Sequence, residues 1–534
     1  MLTLVVDGLA TTVQTDIAKS RGKNQPRNFF RKRAWVGQFF ARHGLKEGDV
    51  IALDRVDSFT YRVHPFKSDK SGRERRPSRK SLSAEDPLFL HDKDNTTKKK
   101  PSAFGDTAFT SNRSEPLHRW VPWIAGFSAS FVQEVLEQEL HGASTNATVL
   151  DPFAGVGTTL VETLRRGCNA VGFEINPYAV LACNVKVGCL RHRLSYLNDV
   201  VDKLETLSRK AARGNLVPRS TPPSRFKTKI PFFSPTVEKD VLLLQDFISD
   251  QSNDFIRNIL RLTLGAVMVS FSNYSYEPSL STRSAAGKEP IEEADVFGIF
   301  RSKLAEIEAD MGLFQQHIRQ FKRKPKAKVY HNSYLTGGHV LSSHSIDILV
   351  TSPPYLNNYH YVRNTRPQLH WLGLTEGNGD LKKLEQHSFG QFWQTVRSGP
   401  AIGLSFDLPE LESVLDNIRR CNLEKGVYGG TGWANYAAVY FNDCNRFFEV
   451  TRQAMKPNGL VVIVIGNNIV QGIHIETDHF LARIAELHGF HVEGMHRVRT
   501  KRTGSSIVNS SVRAGITKKP VELYETAVEL RAAK

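Results

Sequence analysis

Cysteine is scarce in this 534-residue sequence: Cys168, Cys183, Cys189, Cys421 and Cys444 are the only five, and none forms a Cys-x-x-Cys pair. That spacing argues against a disulfide framework or a zinc ribbon and fits reduced thiols in a cytosol. No apolar run is long enough to cross a bilayer, and the opening MLTLVVDGLATTVQTD has no basic stretch leading into a long apolar one. Neither a membrane span nor an export signal is expected, and the expected location is the cytoplasm. His331, His344, His360, His370 and His387 lack metal-ligand spacing, so no metal site is expected. Internal repeats are absent, and the oligomeric state is left open.

Positive charge, by contrast, is abundant. Lys and Arg number 71 against 54 Asp and Glu, a formal net charge of +17. Residues 1–100 hold 22 of the former and 12 of the latter, a net of +10, so more than half of the excess sits in the first fifth. Such a balance points to a polyanionic partner. Within residues 1–66, Ala34, Val36, Phe39 and Phe40 recur at helical spacing, and GLKEGDVIAL and FTYRVHP supply two short alternating strands. The expectation is a small basic α+β module. Its wording resembles the pseudobarrel DNA-binding modules related to plant B3 domains; a generic small barrel is the other reading. Residues 67–112, rich in charge, Ser and Pro, read as a flexible basic linker.

Beyond the linker, Ser128 is placed as the N-cap of an amphipathic helix carrying Phe131, Val135 and Leu136. Strand Thr148–Leu150, the turn DPFAGVGTT, helix Leu160–Arg166 closed by Gly167, and strand Asn169–Phe173 then make a βαβ unit. Gly155 and Gly157 let the backbone approach a ligand, and the following helix turns its positive end toward that loop. Glu174, about twenty positions on at the tip of the next strand, is placed to accept hydrogen bonds from ribose hydroxyls. As a nicotinamide-dinucleotide fingerprint the stretch fails, since Leu160 stands where the third glycine belongs.

After a helical middle, alternation resumes with KVYHNS, DILVTSPPY, a long helix, the turn Lys456–Gly459 and the strand LVVIVIG. The order suggests one parallel α/β domain with a helical insertion. Two prolines directly after a strand end it and hold a rigid corner.

DPFAGVGTT is similar to motif I, and TSPPY to motif IV, of the S-adenosylmethionine-dependent DNA amino-methyltransferases. The resemblance implies a Rossmann-like methyltransferase sheet, with S-adenosylmethionine as cofactor and double-stranded DNA as partner. It implies that Asp151, Phe153, Gly155 and Gly157 line the methionine end of the cofactor and that Glu174 holds the ribose. Phe127 and Ser128, in GFSASF, stand in the place of motif X. Asn332 stands where motif III usually has an Asp. Ser352, Pro353, Pro354 and Tyr355 become the catalytic set: Ser352 and the Pro353 carbonyl accept the amine hydrogens of a flipped base, and Tyr355 offers it a face.

The residue before the prolines is Ser, which is commoner among cytosine-N4 enzymes; adenine N6 is the alternative. The expected division is 1–66 module, 67–112 linker, 113–190 cofactor half, 191–325 helical insertion and candidate target-recognition region, and 326–534 catalytic half. A cognate restriction endonuclease is an expected partner. An RNA base methyltransferase and a non-catalytic DNA-binding regulator are the competing readings.

Overall fold

The computed structural model describes residues 2–6, 13–15, 17–19, 26–30, 35–44, 51–55, 60–65, 112–123, 126, 128–140, 146–192, 195–276, 280–356, 361–501 and 522–534. Asn112 apart, the stretch read as a linker lies outside them, as does Phe127. The chain divides into two compact units, Met1–Lys100 and Pro101–Lys534, and the division falls inside that stretch.

In the first unit, the helix expected from Val36, Phe39 and Phe40 runs Trp35–His43 and buries Phe39. The two expected strands pair antiparallel as Ile51–Arg55 and Thr60–Pro65. Leu2–Val6 adds to Thr60–Pro65 in parallel, and Val13–Thr15 completes a four-stranded sheet.

The second unit is built on a seven-stranded sheet. Its strands are β1 (Thr148–Asp151), β2 (Asn169–Glu174), β3 (Ala327–His331), β4 (Ile346–Thr351), β5 (Met455–Gly466), β6 (Phe490–Lys501) and β7 (Leu523–Ala532), in the order β3-β2-β1-β4-β5-β7-β6. The first five run parallel, whereas β7 is antiparallel to both β5 and β6. The wholly parallel domain suggested by the sequence is corrected at that edge: consecutive strands that pair directly need no crossover helix.

Every residue of β5 from Leu460 to Gly466 is buried, as befits a strand covered on both faces. Helices α1 (Ala129–Glu139), α2 (Thr158–Arg165) and α3 (Pro177–Gly188) follow the sequence closely. Ser128 Oγ caps α1 by accepting from the Phe131 N–H, and Asn176 Oδ1 caps α3, which opens with Pro177. The expected turn Lys456–Gly459 is absorbed in β5 as a bulge: Ile346 pairs with Met455 but Ile348 with Leu460, and Asn458 takes φ 65°.

The helical insertion supplies α4 (Ser195–Ala212), α5 (Pro235–Ser249), α6 (Asp254–Val267) and α7 (Val296–Arg319). Their apolar stripes share one core with α2 and α3. Polar ties fix this layer. Asp310, fully buried on α7, accepts from the Leu117 N–H, Trp120 Nε1 and the Arg119 guanidinium at 2.7–3.1 Å. A second helical stretch follows β4: α8 (Tyr361–Trp371), α9 (Asn378–Gln386) and α10 (Pro409–Arg419). Helices α11 (Gly430–Ala454) and α12 (Thr477–Leu487) then pack on Val461, Ile463 and Ile465, while α1 takes the opposite face of the sheet at Leu460, Val462 and Val464.

Strand order reverses at β1, with β2 on one side and β4 on the other. In an open α/β sheet such a reversal leaves a crevice at the carboxyl ends of the strands. Two stretches two hundred residues apart in the chain, Pro152–Gly157 after β1 and Ser352–Tyr355 after β4, therefore leave the sheet side by side.

Candidate active site

A cavity of about 1100 Å³, counted out to its mouth, opens at that crevice. Phe153, Gly155, Glu174 and Asn332 line one part of it, and Ser352 and Pro354 another. Six of the residues singled out from the sequence thus share one space. Asp151, Gly157, Ser128, Pro353 and Tyr355 lie just outside the lining.

The motif I loop owes its shape to its two glycines. Gly155 has φ 50° and Gly157 φ 85°, and side chains there would crowd Trp123 Nε1 and Cys183 Sγ, each 3.2 Å from an added Cβ. Both carbonyls beneath the loop are held from α3. The Cys183 thiol donates to Gly155 O at 3.2 Å, and Lys186 Nζ donates to Val156 O at 2.8 Å. Lys186 is completely buried, and burial pulls its pKa down to about 8.

Glu174 accepts from the Gly155 N–H at 2.8 Å and the Asn176 N–H at 2.7 Å. Burial nevertheless outweighs these bonds and pushes its carboxyl up to about 7. Asp151 also is buried, and pushed up to about 6 for the same reason. Its Oδ1 accepts from Thr351 Oγ1 at 2.6 Å and from the Phe153 N–H at 3.0 Å, tying the carboxyl end of β4 to that of β1 and to the loop. Its Oδ2 has no protein partner, an orphaned buried acceptor beside the loop.

At the second corner, Pro353 and Pro354 contribute no N–H. The Ser352 hydroxyl donates to the Tyr355 hydroxyl at 3.4 Å. Tyr440, on α11, donates its hydroxyl to the Pro354 carbonyl at 3.0 Å, with the Leu356 amide close by. The Tyr355 ring lies against Gly466, where a Cβ would come within 3.3 Å. Burial raises its phenol well above the usual range.

Several cavity residues carried no signal in the sequence. Trp123 covers Gly155 and stacks on Tyr361, with centroids 6.2 Å apart. Phe389, Gln391 and Phe392, together with Tyr436 of α11, add to the cavity wall, and the Phe389 ring meets Phe153 edge-on at 5.0 Å. Asp443 holds this wall by accepting from the Gly390 N–H at 2.7 Å. Asn176, a cap that the Asn-Pro dipeptide could have flagged, also donates to Thr365 Oγ1 on α8.

The site fits S-adenosylmethionine. A glycine cradle meets a helix start, a carboxylate stands at the tip of the neighbouring strand, and aromatic walls border both. No group of His, Cys, Asp and Glu among the described residues could hold a metal ion. No described helix is long and apolar enough to cross a membrane.

Comparison with known proteins agrees with this geometry. A family model described as DNA methylase, of the N6/N4 type, matches residues 12–184, a span that includes DPFAGVGTT and ends before TSPPY. The Type II methyltransferase M.BsoBI of Geobacillus stearothermophilus is 23% identical over 445 residues, covering 75% of this chain and 83% of that protein. M.AvaI of Nostoc sp. is 22% identical over 75% of this chain and 84% of its own, and M.MvaI of Kocuria varians 22% over 71% and 83%. With the two motifs meeting in one cavity at the switch point, the chain is similar to the N6/N4 DNA methylases and to Type II DNA methyltransferases, and the matches support an S-adenosylmethionine-dependent DNA methyltransferase.

Proposed function

We propose that this enzyme methylates the N4 amine of a cytosine flipped out of duplex DNA, as the modification partner of a restriction endonuclease. The observation that carries the reading is Ser352, set before Pro353, Pro354 and Tyr355 and opening into the same cavity as Gly155 and Glu174. Ser at that place favours cytosine N4 over adenine N6. The Type II names of the relatives support the pairing with a nuclease.

An exocyclic amine is a weak nucleophile because its lone pair is delocalised into the ring. Ser352 gives its own hydrogen to Tyr355, which leaves its oxygen lone pairs to accept from the amine. With the Pro353 carbonyl as second acceptor, the nitrogen lone pair is turned toward the methyl group. S-adenosylmethionine bound there would supply that methyl from its sulfonium sulfur, leaving a neutral thioether, and the proton released from the methylated amine would pass to water. The loop through Gly155 and Gly157 makes room for the methionine end, Glu174 takes the ribose hydroxyls, and Asn332 stands at the adenine end. The basic residues of 1–100 supply a sequence-independent hold on phosphates. Extracting the base costs a few kcal/mol, returned by stacking and edge contacts.

Since the Tyr440 hydroxyl holds the Pro354 carbonyl next to Tyr355, Tyr440→Phe is expected to lower kcat about tenfold by loosening the corner. Cofactor affinity should stay unchanged. Steady-state methyl transfer beside calorimetric cofactor titration checks this, and a loss confined to KM would contradict it.

Ionised Glu174 is the better acceptor, so cofactor affinity is expected to rise as pH climbs through about 7, and Glu174→Gln should flatten that dependence. Calorimetric titrations on either side of that pH decide the matter. The sign for folding is opposite. A carboxyl raised above its unfolded value stabilises the fold while protonated, and that contribution fades as pH rises from the ordinary carboxylate range through about 7.

The direct test is mass spectrometry of nucleosides from DNA of cells expressing the wild type beside Ser352→Ala. N4-methylcytosine with the wild type alone is the expected result. N6-methyladenine would overturn the choice of base, and neither mark, with protein present, would overturn the function.

A further inference from the structure

A column of rings leads from the cavity to solvent. Tyr436, in the cavity wall, meets Trp433 edge-on at 6.0 Å, and Trp433 stacks on Trp393 at 5.1 Å. The Arg397 guanidinium then lies 4.4 Å over Trp393 and 4.7 Å over Tyr428, a ring that is 55% exposed. Other arginines of this unit, such as Arg219, Arg419, Arg446 and Arg483, sit against carboxylates. Arg397 has no carboxylate in ion-pair range among the described residues; its charge is held by rings on two sides and by nothing of opposite sign. Among the described residues, the buried indole N–H groups of Trp393 and Trp433 have no protein acceptor.

The column belongs to the stretch that adds to the cavity wall through Phe389, Gln391 and Phe392. The helices of 191–325, by contrast, spend their apolar faces on α2 and α3. A guanidinium steadied between aromatic faces keeps its fork free for a phosphate, and stacked arginine is the form suited to nucleic-acid backbones.

We infer that Arg397, presented by Trp393 and Tyr428, is a DNA phosphate contact that seats the strand at the mouth of the cavity. The assignment rests on the DNA-methyltransferase reading and moves the DNA-facing surface from the helical insertion to residues 388–436. Tyr428 adds an exposed ring beside the seated backbone.

The test measures affinity for a DNA fragment that the wild type methylates, by fluorescence anisotropy over a series of salt concentrations. Arg397→Gln is expected to weaken binding about tenfold and to make the slope of log affinity against log salt shallower by about 1. Cofactor affinity and melting temperature should be unchanged. Arg397→Lys, which keeps the charge, should retain the wild-type slope. Wild-type slope and affinity in Arg397→Gln would overturn the assignment while leaving the function intact. A wild type that neither binds nor methylates DNA would overturn both.

Discussion

Ser352→Ala is expected to leave the protein folded and its cofactor affinity intact while kcat falls about a hundredfold to a thousandfold, the usual cost of removing one acceptor or donor aimed at a reacting group. The separation of effects follows from the geometry. Ser352 is only half-buried, and its hydroxyl makes one long bond, to Tyr355. The corner itself is held by Thr351 on Asp151 and by Tyr440 on Pro354, neither of which the substitution touches. Single-turnover transfer of a labelled methyl group, with cofactor titration alongside, reads both quantities. A kcat within threefold or so of wild type would remove Ser352 from the chemistry and leave the Pro353 carbonyl as the acceptor that matters.

The largest effect on stability is expected at Asp310. This side chain is fully buried, and four donors converge on it: the Leu117 N–H, the Trp120 indole and two nitrogens of Arg119. Arg119 is partly open to water and loses little. The Leu117 and Trp120 donors are buried, and each left unpaired costs about 1–3 kcal/mol. Asp310→Ala is therefore expected to destabilise the larger unit by about 3–5 kcal/mol, read as a shift in urea midpoint, with Asp310→Asn falling between. A shift under about 1 kcal/mol would mean that water reaches those donors once the carboxylate is gone.

What could be read from the sequence was what is local. The βαβ unit around DPFAGVGTT announces itself by glycines, a cap and an acidic strand end within thirty residues, and TSPPY by two prolines after an apolar run. Their meeting was legible through the resemblance alone, because sheet order is decided by pairings that no window of sequence contains. Trp123 over Gly155, Tyr440 beneath Pro354 and the wall at Phe389 to Phe392 are long-range contacts of the same sort. Helix α8 was legible only as one of two readings: Tyr361, Leu369 and Trp371 after TSPPY fit a helical core face, and Arg363 and Arg366 among them fit a phosphate track equally well. In the structure Leu369 and Trp371 of α8 are buried, which is the core-face reading. Asp151 was read as a cofactor-lining residue; that its carboxylate also accepts from Thr351 and ties the two loops together is a long-range contact that no window of sequence contains.

The proline pair has one more consequence. A corner that donates no backbone hydrogens at Pro353 and Pro354 also carries no exchangeable amide protons there, so deuterium uptake passes over the residues that matter most. The nearest reporter is the Leu356 amide, beside the Tyr440 hydroxyl. Its protection factor becomes a gauge of how often the corner springs open, and a flipped base resting on Ser352 should register as slower exchange at that single proton.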